Sequence, residues 1–149
     1  MGIPAYFSHI IKNYPKIIQK FQKKTAIQHL YLDSNSVVYD AMRTIEYNGN
    51  DDEFERKLVN AVCKKIETYI QQISPSHLAY IAFDGVAPVA KLDQQKNRRY
   101  KSWFINQYEK SDKQVWNSTA ITPGTDFMNK LNLQVRYHFR KPTEFNVKK

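Results

Sequence analysis

Residues 80–104 read YIAFDGVAPVAKLDQQKNRRYKSWF, and this stretch decides the fold that the sequence predicts. An apolar run ends in a carboxylate, Asp84, and Gly85 then interrupts the pattern. Pro88 suits the first turn of a helix, because the N–H that proline lacks is not needed there. The pattern predicts a strand over residues 77–83 and a long helix from about residue 88 to residue 108.

The helix that follows Pro88 carries an excess of positive charge. Residues 91–101 hold five lysines and arginines and one acidic residue, so their net charge is five minus one, or +4. With about 100° of rotation per residue, four side chains that can bind phosphate share one narrow face of this helix: Lys91, Gln95, Arg98 and Arg99. A solvated basic face without a ligand is the alternative. The neutral Gln95 argues against it, because an uncharged donor between cations adds nothing to solubility.

The composition indicates one domain with a polyanionic partner. The chain has 149 residues, a net charge of +9 and 13% aromatic residues, and its pI is near 9.6. A basic, aromatic-rich chain is typical of proteins that bind nucleic acid. A basic protein without such a partner is the alternative.

The chain has a single cysteine, Cys63, which cannot form an internal disulfide and is predicted to lie in the core. No Cys/His cluster has the spacing of a zinc site. No run approaches the roughly 18 apolar residues of a membrane span, and charges recur from Lys12 onward, where a signal peptide would be apolar. We therefore expect an intracellular protein without a membrane partner, with the cytoplasm favoured over the nucleus.

A second strand-to-helix junction repeats the pattern at Asp84. Residues 26–33 are typical of a buried strand, and this strand ends at Asp33. A long amphipathic helix, capped by Asp51 or Asp52, lies between the two strands and runs for about twenty residues. This order predicts an α/β fold in which parallel strands are joined by a right-handed crossover through a helix.

The two strand-end carboxylates predict a chemistry. In open α/β sheets, sites form beyond the carboxyl ends of the strands, so Asp33 and Asp84 are expected at one edge. Two converging carboxylates repel each other unless a cation joins them. Oxygen ligands without cysteine or histidine favour Mg²⁺ or Mn²⁺. With phosphate-binding side chains nearby, this pattern favours metal-assisted hydrolysis of a phosphodiester. Taken singly, each aspartate fits a helix cap as well, and two carboxylates are fewer than a two-metal site uses.

Several motifs resemble the N-terminal part of the XRN family of 5′→3′ exoribonucleases. They follow the order and spacing of that family along almost the whole chain: Met1-Gly2-Ile3-Pro4 with Phe7, Leu30-Tyr31-Leu32-Asp33-Ser34-Asn35-Ser36, Phe83-Asp84-Gly85-Val86-Ala87-Pro88, Ala90-Lys91, Gln94-Gln95 with Arg98-Arg99, and Ile121-Thr122-Pro123-Gly124-Thr125 with Phe127-Met128. The resemblance implies the N-terminal portion of a Rossmann-like PIN/flap-nuclease type fold with one long basic helix. It also implies hydrolysis of RNA that carries a 5′-monophosphate.

The resemblance implies a role for each candidate residue. Asp33 and Asp84 match two metal-coordinating acids of the family, and Asn35 would steady Asp33. Tyr39 stands where the family often has a histidine that stacks on the first base, and a tyrosine can also stack on a base. The four residues on the basic helix face match the pocket for the 5′-monophosphate: Lys91, Gln95, Arg98 and Arg99.

The chain departs from the family at its end, because the later acidic motifs of the family do not follow. Residues 1–149 are therefore expected to be a single, incomplete domain, and the fragment alone is expected to be inactive. Two other functions remain open. A flap-endonuclease-like DNA nuclease fits the strand-end aspartates equally well. For a non-catalytic nucleic-acid-binding module, the net charge alone would suffice.

Overall fold

The computed structural model describes residues 5–22, 26–108 and 115–140. In this part of the chain, helices and strands alternate in the order that an α/β fold requires. The helices are α1 (Tyr6–Asn13), α2 (Asn35–Met42), α3 (Asp51–Ile73), α4 (Val89–Tyr108) and α5 (Asp126–Phe139), the strands are β1 (His29–Asp33) and β2 (Leu78–Ala82), and short 3₁₀ turns span Pro15–Ile17 and Ser118–Ala120.

The two strands form a parallel pair, as predicted. Tyr31 lies opposite Tyr80, and Asp33 lies opposite Ala82. Both strands are shorter than the apolar runs that predicted them. Before the ladder begins, the N–H groups of two successive residues, His77 and Leu78, both donate to the carbonyl oxygen of Gln28. The chain is therefore still hydrogen-bonded there, but not in a regular strand register.

The hydrophobic core lies between the helices α2, α3 and α5 and one face of the sheet. Leu58, Ile66 and Leu131 are fully buried, and Leu32 and Ile81 of the strands pack against this core. The other face of the sheet is open, because Tyr31 and Tyr80 point away from these helices and are exposed. The described residues thus form two layers, helices on one face of a two-stranded sheet.

Cys63 lies in this core, which confirms its prediction as a structural residue. Burial, and to a lesser degree the nearby carboxylate of Glu67, raises the pKa of the thiol to about 11. The thiol is therefore neutral at physiological pH and behaves as a small apolar side chain.

The residue that caps α3 differs from the prediction, which named Asp51 or Asp52. The cap is Asn50, whose side-chain oxygen accepts a hydrogen bond from the N–H of Glu53 at 3.0 Å. Asp51 instead accepts a hydrogen bond from the hydroxyl of Tyr47. Asp51 and Asp52 lie in the first turn, where their charges complement the positive end of the helix dipole.

Helices α1 and α4 lie outside the core. No side chain of α1 is buried, and none of the described side chains of α4 is buried either. In the part of the chain that the structure describes, no helix combines the length and the apolar character needed to cross a membrane.

Candidate functional site

Both strand-end aspartates lie at the carboxyl edge of the sheet. Asp33 is the last residue of β1, and Asp84 comes two residues after the end of β2. The N–H of the buried Ser34 donates to the carbonyl oxygen of Ala82 at 2.8 Å, which holds the two chain segments together one residue beyond β1. The junctions that carry Asp33 and Asp84 are therefore neighbours, as the parallel arrangement predicted.

Asn35, the first residue of α2, holds the backbone at Asp84. Its side-chain oxygen accepts a hydrogen bond from the N–H of Asp84 at 3.0 Å. The predicted role of Asn35 in steadying Asp33 stays a prediction, and the hydrogen bond found here is to the backbone of Asp84. The reason lies in the sheet, because β2 ends at Ala82 and the N–H of Asp84 has no ladder partner beyond it. The amide side chain at the start of α2 supplies the acceptor that the ladder does not.

A cavity of ≈ 470 Å³ opens beside Asp84. Its volume falls within the range of about 300–1,000 Å³ that is usual for small-molecule sites. The described residues that line it come from α2, the segment after β2, the middle of α4 and the segment before α5: Asn35, Tyr39, Asp84, Gln95, Arg99, Ser118, Thr119, Ile121, Thr122 and Pro123. The structure thus places five of the residues that the sequence singled out around one space.

Two predicted residues stand apart from this cavity. Asp33 and Lys91 are exposed and are not among the described residues that line it. Gln95 and Arg99 are four residues apart and so share one face of α4, while Lys91 lies one turn nearer the start of the helix. The side chain of Arg98 lies outside the described part of the structure, so its prediction is untested.

The segment from Ser118 to Pro123 was not predicted to belong to the site. It forms one wall of the cavity, and helix α4 forms another. The signal in the sequence was the turn that follows, in which Gly124 has a φ of +89°, a value that glycine adopts without strain. That signal predicts a turn, but it does not say which element the turn faces.

Thr125 fixes this wall to α5. Its hydroxyl lies 2.5 Å from the carbonyl oxygen of Ala120 and 2.9 Å from that of Thr122. The same oxygen accepts a hydrogen bond from the N–H of Met128 at 3.3 Å, which caps α5. Because Met128 is buried in the core, the wall is attached to the core of the molecule.

The cavity has one formal charge of each sign among its described lining residues, on Asp84 and Arg99. A phosphate group is therefore attracted to the α4 side of the cavity and repelled from the Asp84 side unless a cation lies between them. Asp33 and Asp84 suit a hard cation in kind, because Mg²⁺ and Mn²⁺ prefer carboxylate oxygens. They do not suffice in number, since no group of three or more His, Cys, Asp or Glu in the described residues could hold a metal ion.

A family model and curated relatives match this chain. The family model of the XRN 5′-3′ exonuclease N-terminus matches residues 1–148. The chain is 34% identical over 154 residues to 5′-3′ exoribonuclease 1 of Saccharomyces cerevisiae, an alignment that covers 92% of this chain and 10% of the yeast protein.

Two further relatives extend this likeness. The chain is 29% identical to 5′-3′ exoribonuclease 2 of Candida glabrata, covering 92% of this chain and 17% of that protein. It is also 29% identical to 5′-3′ exoribonuclease 1 of Schizosaccharomyces pombe, covering 95% of this chain and 11% of that protein. The chain therefore spans less than a fifth of the length of these relatives.

Proposed function

The chain belongs to the XRN 5′-3′ exonuclease family, and on that premise we propose that it is part of an enzyme that hydrolyses RNA from a 5′-monophosphorylated end. The observation that carries the proposal is the shared cavity of Asp84, Gln95 and Arg99. A carboxylate and phosphate-binding side chains around one space are what hydrolysis of a terminal nucleotide requires.

The 5′-phosphate would bind at α4. The guanidinium of Arg99 can donate two parallel hydrogen bonds to phosphate oxygens, and the amide of Gln95 can donate another without adding charge. Lys91 and Arg98 would complete the pocket from the same helix. A capped or triphosphorylated end would not fit such a pocket, which would account for selectivity toward a monophosphate.

Divalent cations would bind at the carboxyl edge of the sheet. Asp33 and Asp84 would supply carboxylate ligands to Mg²⁺ or Mn²⁺, with further ligands from outside the described residues. Such ions, when bound, activate water and stabilise the leaving oxygen. Asn35 would keep Asp84 in place through its backbone, and Tyr39 would stack on the first base. We also propose that the two-layer arrangement is the N-terminal portion of a Rossmann-like PIN/flap-nuclease type fold.

The test compares two RNA substrates of the same sequence, one with a 5′-monophosphate and one with a 5′-hydroxyl. The longest natural polypeptide that contains these residues is assayed with Mg²⁺, and Asp84→Asn is the matched variant. We expect faster degradation of the monophosphorylated RNA and little activity in the variant. Equal degradation of both ends would exclude the phosphate pocket, and an active Asp84→Asn would exclude the metal role.

The same assay distinguishes the proposed function from the two alternatives, a DNA nuclease and a non-catalytic binding module. Branched DNA cleaved in preference to linear RNA would identify a flap-endonuclease-like enzyme. Salt-dependent binding of RNA and DNA without cleavage of either would identify a non-catalytic binding module.

A further inference from the structure

The wall at Ser118–Pro123 contains two residues that line the cavity and whose hydroxyl groups the protein itself does not use. In the described part of the chain, the hydroxyls of Ser118 and Thr122 form no hydrogen bond with a protein group, although both residues line the cavity. The hydroxyl of Thr119 differs, because it donates to the side-chain oxygen of Asn117 at 2.7 Å. Ser118 and Thr122 therefore keep both a donor and acceptors for a ligand.

The backbone beneath these two hydroxyls is fixed. The carbonyl oxygen of Ser118 accepts from the N–H of Ile121 at 3.1 Å, and the N–H of Thr122 donates to the carbonyl oxygen of Ala120 at 2.8 Å. The carbonyl oxygen of Thr122 accepts from Thr125. Ile121, between the two, is buried in the core. The two hydroxyls thus belong to a segment whose backbone is hydrogen-bonded and attached to the core, and such preorganisation favours selective recognition.

The other groups of the cavity already suit the other parts of a nucleotide. Arg99 and Gln95 suit a phosphate, and Tyr39 offers an aromatic ring to a base. The part without a partner is the sugar, whose 2′-hydroxyl in RNA both donates and accepts hydrogen bonds. Serine and threonine hydroxyls match this group, since they also do both. A wall meant for a second phosphate would be expected to carry cations or amide donors instead.

We propose that Ser118 and Thr122 hydrogen-bond the 2′-hydroxyl of the 5′-terminal nucleotide and so make the site selective for RNA over DNA. This inference rests on the proposed function, because it places the phosphate of that nucleotide at Gln95 and Arg99. It assigns to the 118–123 wall the discrimination between the two nucleic acids, a task separate from recognition of the 5′ end.

The test measures binding of the 149-residue chain by fluorescence anisotropy. The probes are single-stranded oligonucleotides of one sequence: 5′-monophosphorylated RNA, the same RNA with one 2′-deoxy sugar at its first nucleotide, 5′-monophosphorylated DNA, and RNA with a 5′-hydroxyl. The variants are Ser118→Ala and Thr122→Val. Thr122→Ser keeps the hydroxyl without the methyl group, and Thr68→Val is the control on α3, outside the cavity.

We expect the single 2′-deoxy sugar to weaken binding about five- to tenfold, the effect of one hydrogen bond. Ser118→Ala and Thr122→Val should weaken binding of the RNA by a similar factor and leave binding of the deoxy probe unchanged. Thr122→Ser and Thr68→Val should retain the discrimination of the parent chain.

The possible failures are distinguishable. Tighter binding of 5′-monophosphorylated than of 5′-hydroxyl RNA, with no effect of the 2′-deoxy sugar, would overturn this inference and leave the proposed function standing. The same holds if the discrimination persists in both Ser118→Ala and Thr122→Val. Binding that ignores the 5′-phosphate would overturn the proposed function and this inference with it.

Discussion

Helices α5 and α4 meet the rest of the molecule in opposite ways. Helix α5 buries Phe127, Met128, Leu131 and Val135 in the core. Helix α4 is longer, yet none of its described side chains is buried, and Val89 at its start is 80% exposed. The two helices therefore differ in role, since α5 belongs to the part that stabilises the fold and α4 lines the candidate site.

This separation shapes the candidate site. One part of the cavity wall, from Ser118 to Pro123, is attached to α5 through Thr125. In the α4 wall, with Gln95 and Arg99, none of the described side chains is buried, and Lys96 lies over the ring of Tyr100 of the same helix at 5.9 Å. Helices that bury few side chains gain little stability from packing. An anionic ligand that contacts both walls would therefore also hold α4 against the rest of the molecule.

The largest expected effect tests the stabilising role of α5. Leu131 is fully buried, so Leu131→Ala removes apolar contacts and leaves a cavity in the core. We expect the free energy of unfolding to fall by about 2–5 kcal/mol, a large share of the total for a domain of this size. Chemical denaturation of the 149-residue chain, followed by circular dichroism, measures this loss.

Leu133 on the same helix provides the matched control. It is 70% exposed, and Leu133→Ala should change the free energy of unfolding by less than about 0.5 kcal/mol. Equal losses in the two variants would mean that α5 is not packed as described, and the contrast between α5 and α4 would not hold.

The second prediction tests the role of α4 in binding. Arg99→Ala removes a cation that lines the cavity, and hydrogen bonds to charged groups are worth about 1.5–3 kcal/mol. We therefore expect the affinity for 5′-monophosphorylated RNA to fall by about 10- to 150-fold. The thermal midpoint should stay the same, because no described side chain of α4 belongs to the core.

Lys101 is the control for this experiment. It is an exposed cation on the same helix that does not line the cavity. Lys101→Ala lowers the net charge by the same amount as Arg99→Ala, so it reports the part of the effect that is due to charge alone. Equal losses of affinity in the two variants would show that the basic helix acts through its general charge and not through a defined pocket.

The sequence predicted the two strands, the helices α3 and α4 and one wall of the cavity, because these follow from local patterns. The spacing of Gln95 and Arg99 fixes a common helix face, and the apolar runs before Asp33 and Asp84 place two carboxylates at strand ends. Both features depend only on the periods of helices and strands.

The rest depends on tertiary contacts that leave no periodic signal. Nothing in the residues from Ser118 to Thr122 indicates that they face a helix twenty residues earlier in the chain. The partner of Asn35 likewise depends on where the β2 ladder ends, and β2 ends two residues before Asp84. The predicted cap of α3 was wrong by one residue for a different reason. Asparagine and aspartate are almost equally good caps, so the sequence does not distinguish Asn50 from Asp51.

The third prediction concerns Thr125, which links the wall from Ser118 to Pro123 to helix α5. Thr125→Ala removes the cap of α5 and the hydrogen bonds to Ala120 and Thr122. We expect the free energy of unfolding to fall by about 1 kcal/mol. RNA binding should also weaken several-fold, because the wall from Ser118 to Pro123 loses its attachment to the helix.

Asn50→Ala separates these two effects. It removes the cap of α3, at a similar cost in stability, but Asn50 does not line the cavity. RNA binding measured well below the thermal midpoint should therefore be unchanged in this variant. If both cap variants weaken binding alike, the loss comes from general destabilisation and the wall has no special role.

The smallest expected effect concerns the solvent-facing side of α3. Lys57 lies 2.6 Å from the carboxylate of Glu53. Lys57, together with the amide of Asn48, lowers the pKa of Glu53 below its usual value of 4.5. A lowered pKa in the folded state means that this contact contributes stability at neutral pH and that the contribution is lost as pH falls through that pKa.

Lys57→Ala should therefore lower the thermal midpoint slightly at pH 7, by less than Leu131→Ala or Thr125→Ala, because exposed ion pairs contribute little. Lys64→Ala, an exposed lysine on the same helix without an ion pair in the described residues, serves as the control. The difference between the two variants should shrink as the pH is lowered through the pKa of Glu53, and also in 1 M salt, because protonation or screening removes the attraction. A difference that changes with neither pH nor salt would assign the effect to helix propensity instead of to charge.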